Sequence, residues 1–462
     1  MPSSNPPSTV DLKTAVAHIF DEAQTSVANH QRNWVSFHAL HSDASKWPDY
    51  RSQRPYLVGE HTFEAVFLDM LLPVLSAKKG ATAADRVVRF IGGYIRWIND
   101  KAAEDMHDRS EDEDSSTTAS RFTARLLKFL LRGFQSKNKD VRYRILFIVA
   151  ETVAYLGEID DRIYADMREA LLDRIHDKEA MVRVQVVTAL SKFASLEDPS
   201  EFVEDERTVM QVLIDSLSSD PSPEVRRAAM LNIPVSPASL PALLERTRDT
   251  DTTIRRLLYS SVLTRAATNT ATPQSLTVSQ RELLVRNGLG DRENTVRVAA
   301  AALVGTWVDV GEVEIKVDEE LVSRLADVDL ALIEKTATSS EETKKIIRTL
   351  TTFLQMFNLR ETSIGTDGEV LYGKVAADAL NCVFETRSDM IEGLRFDDTF
   401  FANPSPEGIF LARVFVDRCV SMKARELEDA GIPVVTRCAY WLQNSYNTLA
   451  ADYEETLRSE PR

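Results

Sequence analysis

Arg121, Arg125, Lys128 and Arg132 follow one another at intervals of four, three and four residues. On an α-helix that spacing places four cations on one face. The chemistry it suits is the binding of a polyanion. Like charges at helical spacing repel by about a few tenths of a kcal/mol per pair, and a fold gains nothing from that by itself. The four belong to a longer stretch, Arg121 to Arg144, which holds eight basic residues and one acid, Asp140. The whole chain of 462 residues carries a formal net charge of −16, so this positive charge is local. Phe122, Leu126, Leu127, Leu130 and Leu131 fall to the other sides of the same helix and are expected in a core.

Further cations extend the candidate set. Lys78 and Lys79 end an early helix, and Arg86, Arg89 and Arg96 share a face of the next. Arg226-Arg227 and Arg255-Arg256 are doublets in later helices. The expected DNA-binding residues are therefore Lys78, Lys79, Arg86, Arg89, Arg121, Arg125, Lys128, Arg132, Arg226, Arg227, Arg255 and Arg256. A groove so lined would track a duplex backbone, which fixes position without reading sequence. The competing reading of the stripe is a solvated face neutralised by the acidic residues that precede it.

Other chemistries find little support. Gly368 to Val375, GEVLYGKV, follows the phosphate-loop pattern until Val375 stands where a magnesium-binding hydroxyl belongs. Glu369 brings an acid to the place phosphate oxygens would approach. His38 and His41 are too few for a metal site, and no Cys, Asp or Glu ligand pattern follows them. No G-x-S-x-G motif is present. The expectation is a protein without enzymatic activity, cofactor or metal.

The elements that would hold these cations are helices. Gly (16) and Pro (17) are scarce for the length, which argues against a β-rich chain. Cys382, Cys419 and Cys438 lie far apart, as free thiols in a reducing compartment would. The first residues, MPSSNPPSTVDLK, lack the apolar core of a signal peptide, and no apolar run suffices to span a bilayer; a soluble intracellular protein is expected.

Five windows repeat one pattern, with Val141-Arg142, Val182-Arg183, Val225-Arg226, Ile254-Arg255 and Val296-Arg297 spaced 41, 43, 29 and 42 residues apart. Asp177, Asp220, Asp249 and Asp291 lie five positions before the Val or Ile in four of them; Ser136 takes that place in the first. Each window reads as helix, short turn, helix. One such pair cannot bury its apolar faces, but stacked pairs can, so the expected fold is an all-α, superhelical solenoid. The divisions expected are a polar segment with first helices at 1–54, a helix pair at 55–103, an acidic Ser/Thr-rich loop at 104–120, repeats at 121–334, a polar interruption at 335–345 and further repeat-like helices at 346–462, with another loop at 358–369.

The pattern resembles the HEAT repeat, in which turn Asp and second-helix Arg form ladders between repeats. That resemblance makes the five motif arginines ladder residues first and leaves Arg144, Arg227 and Arg256 as the better surface candidates. Longer phrases, among them FLLRGFQSKNKDVRYRILFIVAE, DPSPEVRRAAMLNIPVSPASLPALLERTRDTDTTIRRLLYSSVL and SPEGIFLARVFVDRC, resemble the CAP-G-type HEAT subunits of condensin from about residue 55 to 450. Against that family the chain looks like an N-terminal half. The resemblance implies a non-enzymatic subunit that binds the kleisin subunit and, with it, double-stranded DNA in a basic groove during mitotic chromosome condensation. It implies indirect association with the SMC subunits, which hydrolyse ATP, and residence in the nucleus and on chromosomes with a cytoplasmic pool. By position, Lys78-Lys79 and the doublets at 226–227 and 255–256 are where the family's DNA contacts are expected. The alternative is a HEAT scaffold that binds only proteins, its basic stripe engaging an acidic peptide.

Overall fold

The computed structural model describes residues 9–46, 57–106, 117–157, 159–194, 207–265, 276–308, 339–364, 370–392, 394–396, 400–401, 405–423 and 443. The chain divides into two compact units, Met1–Pro234 and Val235–Arg462. No described helix is long and apolar enough to cross a membrane.

The first unit is built from helix pairs. Its helices are α1 (Thr9–Thr25), α2 (His30–Ser45), α3 (Leu57–Leu75), α4 (Thr82–Met106), α5 (Thr118–Gly133), α6 (Lys139–Thr152), α7 (Asp161–Arg174), α8 (Ala180–Phe193), α9 (Val209–Ser219) and α10 (Pro223–Asn232). Local chemistry sets several of their starts. Thr117, Asn138, Asp160 and Thr208 each accept a backbone N–H from the first turn of α5, α6, α7 and α9. Such a cap contributes about 1 kcal/mol, and Pro223 opens α10 where a missing N–H costs nothing. The second helices α4, α6, α8 and α10 pack side by side in a row. They run parallel: Arg144, near the start of α6, reaches Asp85 at the start of α4, and Lys192, near the end of α8, donates to the Ala150 carbonyl near the end of α6.

Apolar side chains from both layers meet between the pairs, among them Leu126, Leu130, Leu146, Val149, Leu171, Val187, Leu190, Leu213 and Leu217, all essentially buried. At the N-terminal end the core is aromatic, with Phe37 set 4.9 Å from Phe63 and 4.7 Å from Tyr94. His41 stacks on Phe63 at 4.4 Å, and burial lowers its pKa to about 4, so it is a neutral core residue.

The second unit contains α11 (Leu240–Glu245), α12 (Thr252–Leu257), α13 (Val278–Leu289), α14 (294–308), α15 (Ser339–Leu354), α16 (Lys374–Thr386), α17 (Ser388–Glu392) and α18 (Pro406–Met422). Two sequence expectations are corrected here. The interruption placed at 335–345 is helical from Ser339, because SSEETKK forms the opening turns of α15. The stretch 358–369, read as a loop, contains strand β1 (Thr362–Ile364), which pairs antiparallel with β2 (Val370–Tyr372). Most of the acidic loop, 107–116, lies outside the described residues; its first three positions belong to α4.

Candidate nucleic-acid interface

The motif arginines are structural first. Arg142 forms a two-pronged pair with Asp177 (Nε–Oδ2 2.7 Å, Nη2–Oδ1 3.1 Å), Arg183 with Asp220 (2.8 and 2.9 Å), and Arg255 with Asp291 (2.7 and 3.1 Å). The remaining prong turns back six residues along the chain. Arg142 donates to the Ser136 carbonyl (2.8 Å), Arg183 to Asp177 (2.7 Å), Arg226 to Asp220 (2.9 Å), Arg255 to Asp249 (2.8 Å) and Arg297 to Asp291 (2.8 Å). Each turn Asp also accepts the backbone N–H two residues on, at 2.8–2.9 Å. One guanidinium therefore closes its own turn, and in the paired cases ties that turn to the next repeat. The bond from Arg255 holds the Asp291 carboxyl below its ordinary range. Burial alone would raise Asp177, but the bonds from Arg142 and the Glu179 amide outweigh it and its pKa is lowered. Arg226 and Arg255, both expected in the DNA-binding set, are buried within this ladder, and their guanidinium groups are committed to turns.

The basic stripe divides in two. Arg121 donates to both oxygens of the buried Glu60 (3.0 and 2.7 Å), and Arg125 pairs with the buried Glu64 beside His61. Both partners lie on α3. Burial pushes the Glu64 carboxyl up to about 7 against the pull of Arg125. Thus the first half of the stripe pairs with carboxyl groups of α3, and of the four cations only Lys128 and Arg132 are exposed. The signal for this was present in the sequence: Glu60 and Glu64 have the same i, i+4 spacing as Arg121 and Arg125, and both pairs span 61 residues.

Arg144, read as a spare surface cation, is wholly buried. It donates to the carbonyls of Ala77 (2.9 Å) and Lys78 (2.6 Å) in the α3–α4 turn and pairs with Asp85. Arg86 is half-buried and bonded to the Gln24 carbonyl at 3.0 Å, whereas Arg89 is exposed.

Lys78 and Lys79 project into solvent from the α3–α4 turn. Lys79 Nζ lies 3.4 Å from Glu224 Oε2, in the first turn of α10. Packed helices are about 8–10 Å apart, so α4, α6, α8 and α10 laid flat would separate that turn from α10 by roughly 25–30 Å. The contact requires the row to curve back on itself. Half-buried Arg227 is three residues beyond Glu224 and shares its side of α10. The Lys78-Lys79 turn and the first turn of α10, joined by two residues 145 apart, thereby meet within the first unit. In the second unit, Arg256 is exposed beside the buried Arg255.

Residues 123–233 match the family model for HEAT repeats. With the Asp–Arg ladder and paired helices, the class is an all-α HEAT-repeat solenoid. Curated relatives that match the chain carry the name condensin complex subunit 3. The one from Schizosaccharomyces pombe is 28% identical over 441 residues, covering 95% of this chain and 40% of its own length. The one from Saccharomyces cerevisiae is 25% identical over 454 residues, covering 95% of this chain and 38% of its own. The crystal structure of the S. pombe condensin Cnd3–Cnd2 subcomplex matches with a TM-score of 0.65 at 27% identity, over 94% of this chain and 45% of that one. The resemblance to condensin's HEAT subunit, read from the phrases between residues 55 and 450, is borne out by these relatives, and the chain spans about two-fifths of their length.

Proposed function

We propose that this chain acts as a condensin HEAT-repeat scaffold that binds the kleisin subunit and holds double-stranded DNA by its phosphates. The DNA contacts proposed are Lys78, Lys79 and Arg227 in the first unit and Arg256 in the second, with Arg89, Lys128 and Arg132 as outlying charge. Arg86, Arg121, Arg125, Arg226 and Arg255 are assigned to holding the fold. The observation that carries the reading is the meeting of the Lys78-Lys79 turn with the first turn of α10. Kleisin binding is supported by likeness to a protein solved as a Cnd3–Cnd2 subcomplex. A role in mitotic chromosome condensation, association with SMC subunits and a nuclear location follow from the same likeness.

Titration of a fluorescent duplex, with and without the kleisin partner, tests this reading. If three or four cations meet phosphates, log K falls against log salt with a slope of about −3 to −4 between roughly 100 and 200 mM. Changing Lys78, Lys79 and Arg227 to Asp should weaken binding to all sequences alike, while Arg121→Ala lowers the melting temperature and leaves DNA affinity in place. Absence of binding at about 50 mM salt, where backbone contacts are strongest, would favour a scaffold for proteins only.

A further inference from the structure

Each of the five motif repeats has a second-helix arginine that grips its own turn through the carbonyl six residues back. The α3–α4 pair has none: its turn, Ser76 to Ala81, carries no Asp, and the nearby Arg86 is spent on Gln24. Ala77 and Lys78 lie in the turn just past Leu75, the last residue of α3. Arg144 comes from the next second helix, α6, and takes the carbonyls of Ala77 and Lys78 with two of its prongs. The Lys78 carbonyl also accepts the Ala81 N–H at 3.2 Å. Asp85 neutralises the guanidinium from within α4. Gly80 completes the turn at φ 89°.

We propose that Arg144 is a positioning residue: it fixes, from the buried side, the turn that presents Lys78 and Lys79 to phosphate. This rests on the DNA-binding reading above. A cation placed behind the turn needs no side chain from the turn itself, which leaves both lysines exposed. Lysine in place of Arg144 keeps the charge but cannot hold two carbonyls and a carboxylate in the planar fork.

The test is a double-mutant cycle in the full chain, read by duplex DNA affinity. Arg144→Lys should weaken binding about three- to tenfold when Lys78 and Lys79 are present, and less than about twofold in the Lys78→Ala/Lys79→Ala background. Gly80→Ala is a second variant that disturbs the turn without removing a buried contact, since a Cβ there meets nothing within 4 Å; it should weaken binding too, because the left-handed conformation disfavours a side chain. Hydrogen exchange gives a readout independent of DNA. The Ala81 amide, bonded to the Lys78 carbonyl, should exchange faster in Arg144→Lys, with those of α8 and α10 unchanged. An equal loss of affinity in both backgrounds, or unaltered exchange at the turn, overturns the positioning role. If Lys78→Ala/Lys79→Ala leaves affinity intact, the DNA reading of this turn falls, and the exchange result still reports whether Arg144 grips it.

Discussion

The arginines of this protein differ in function because they differ in what they face, and the sequence alone ranks them poorly. Arg142 and Arg255 face carboxylates of the next repeat, Arg144 faces carbonyls, and Arg125 faces a buried acid. That acid, Glu64, has a consequence for pH. Burial raises its carboxyl to about 7, above the ordinary value of 4.5. The folded protein then binds a proton more tightly than the unfolded chain between those two values, so this group's contribution to stability falls as pH rises from about 4.5 to 7. Glu64→Gln removes the titration. The difference in melting temperature between wild type and variant should therefore shift in favour of wild type as pH is lowered from about 7 to about 5. A difference that stays constant over that range means the carboxyl keeps an ordinary pKa. Asp177 and Asp291, held low by their arginines, act in the opposite sense and only in more acidic solution.

Between elements, the legible parts were those whose partners recur at a fixed spacing. Asp177 and Arg183, six apart, close one turn, so the repeat announced the helix pairs and the ladder together. Ser136 breaks the pattern without breaking the rung, because Arg142 uses the Ser136 backbone carbonyl. The α3–α4 turn was opaque for a different reason: its arginine lies 66 residues away, in a helix of another pair. The β1–β2 hairpin was missed because three-residue strands are too short to show alternation. The same blindness hid Glu224, whose approach to Lys79 depends on the curvature of the whole second-helix row. This acid occupies a cation that the proposed function assigns to phosphate. Glu224→Gln should raise duplex affinity about two- to threefold and barely change the melting temperature, since an exposed pair contributes about 0–1 kcal/mol. Glu169→Gln alters net charge equally on an exposed position of α7. A matching gain in that variant would assign the effect to overall charge and remove the special role of Glu224.

Over the whole molecule, a net charge of −16 opposes DNA while a few cations attract it. The two act over different distances. Direct phosphate contacts form within a few ångströms, whereas repulsion from acids elsewhere, such as Asp161, Asp166, Glu169 and Asp173 exposed along α7, reaches only as far as salt permits. The screening length is about 8–10 Å near 0.1–0.15 M salt and about 30 Å at 0.01 M, comparable to the width of four packed helices. At physiological salt the local site is therefore sheltered from the rest of the surface, and at low salt it is not. A plot of log K against log salt should run straight between about 100 and 200 mM and flatten below about 30 mM, as distant acids begin to repel the duplex. Anisotropy titrations from about 10 to 200 mM read this directly. A line that keeps its slope down to about 10 mM would mean that DNA lies on a far broader basic surface than Lys78, Lys79 and Arg227 supply.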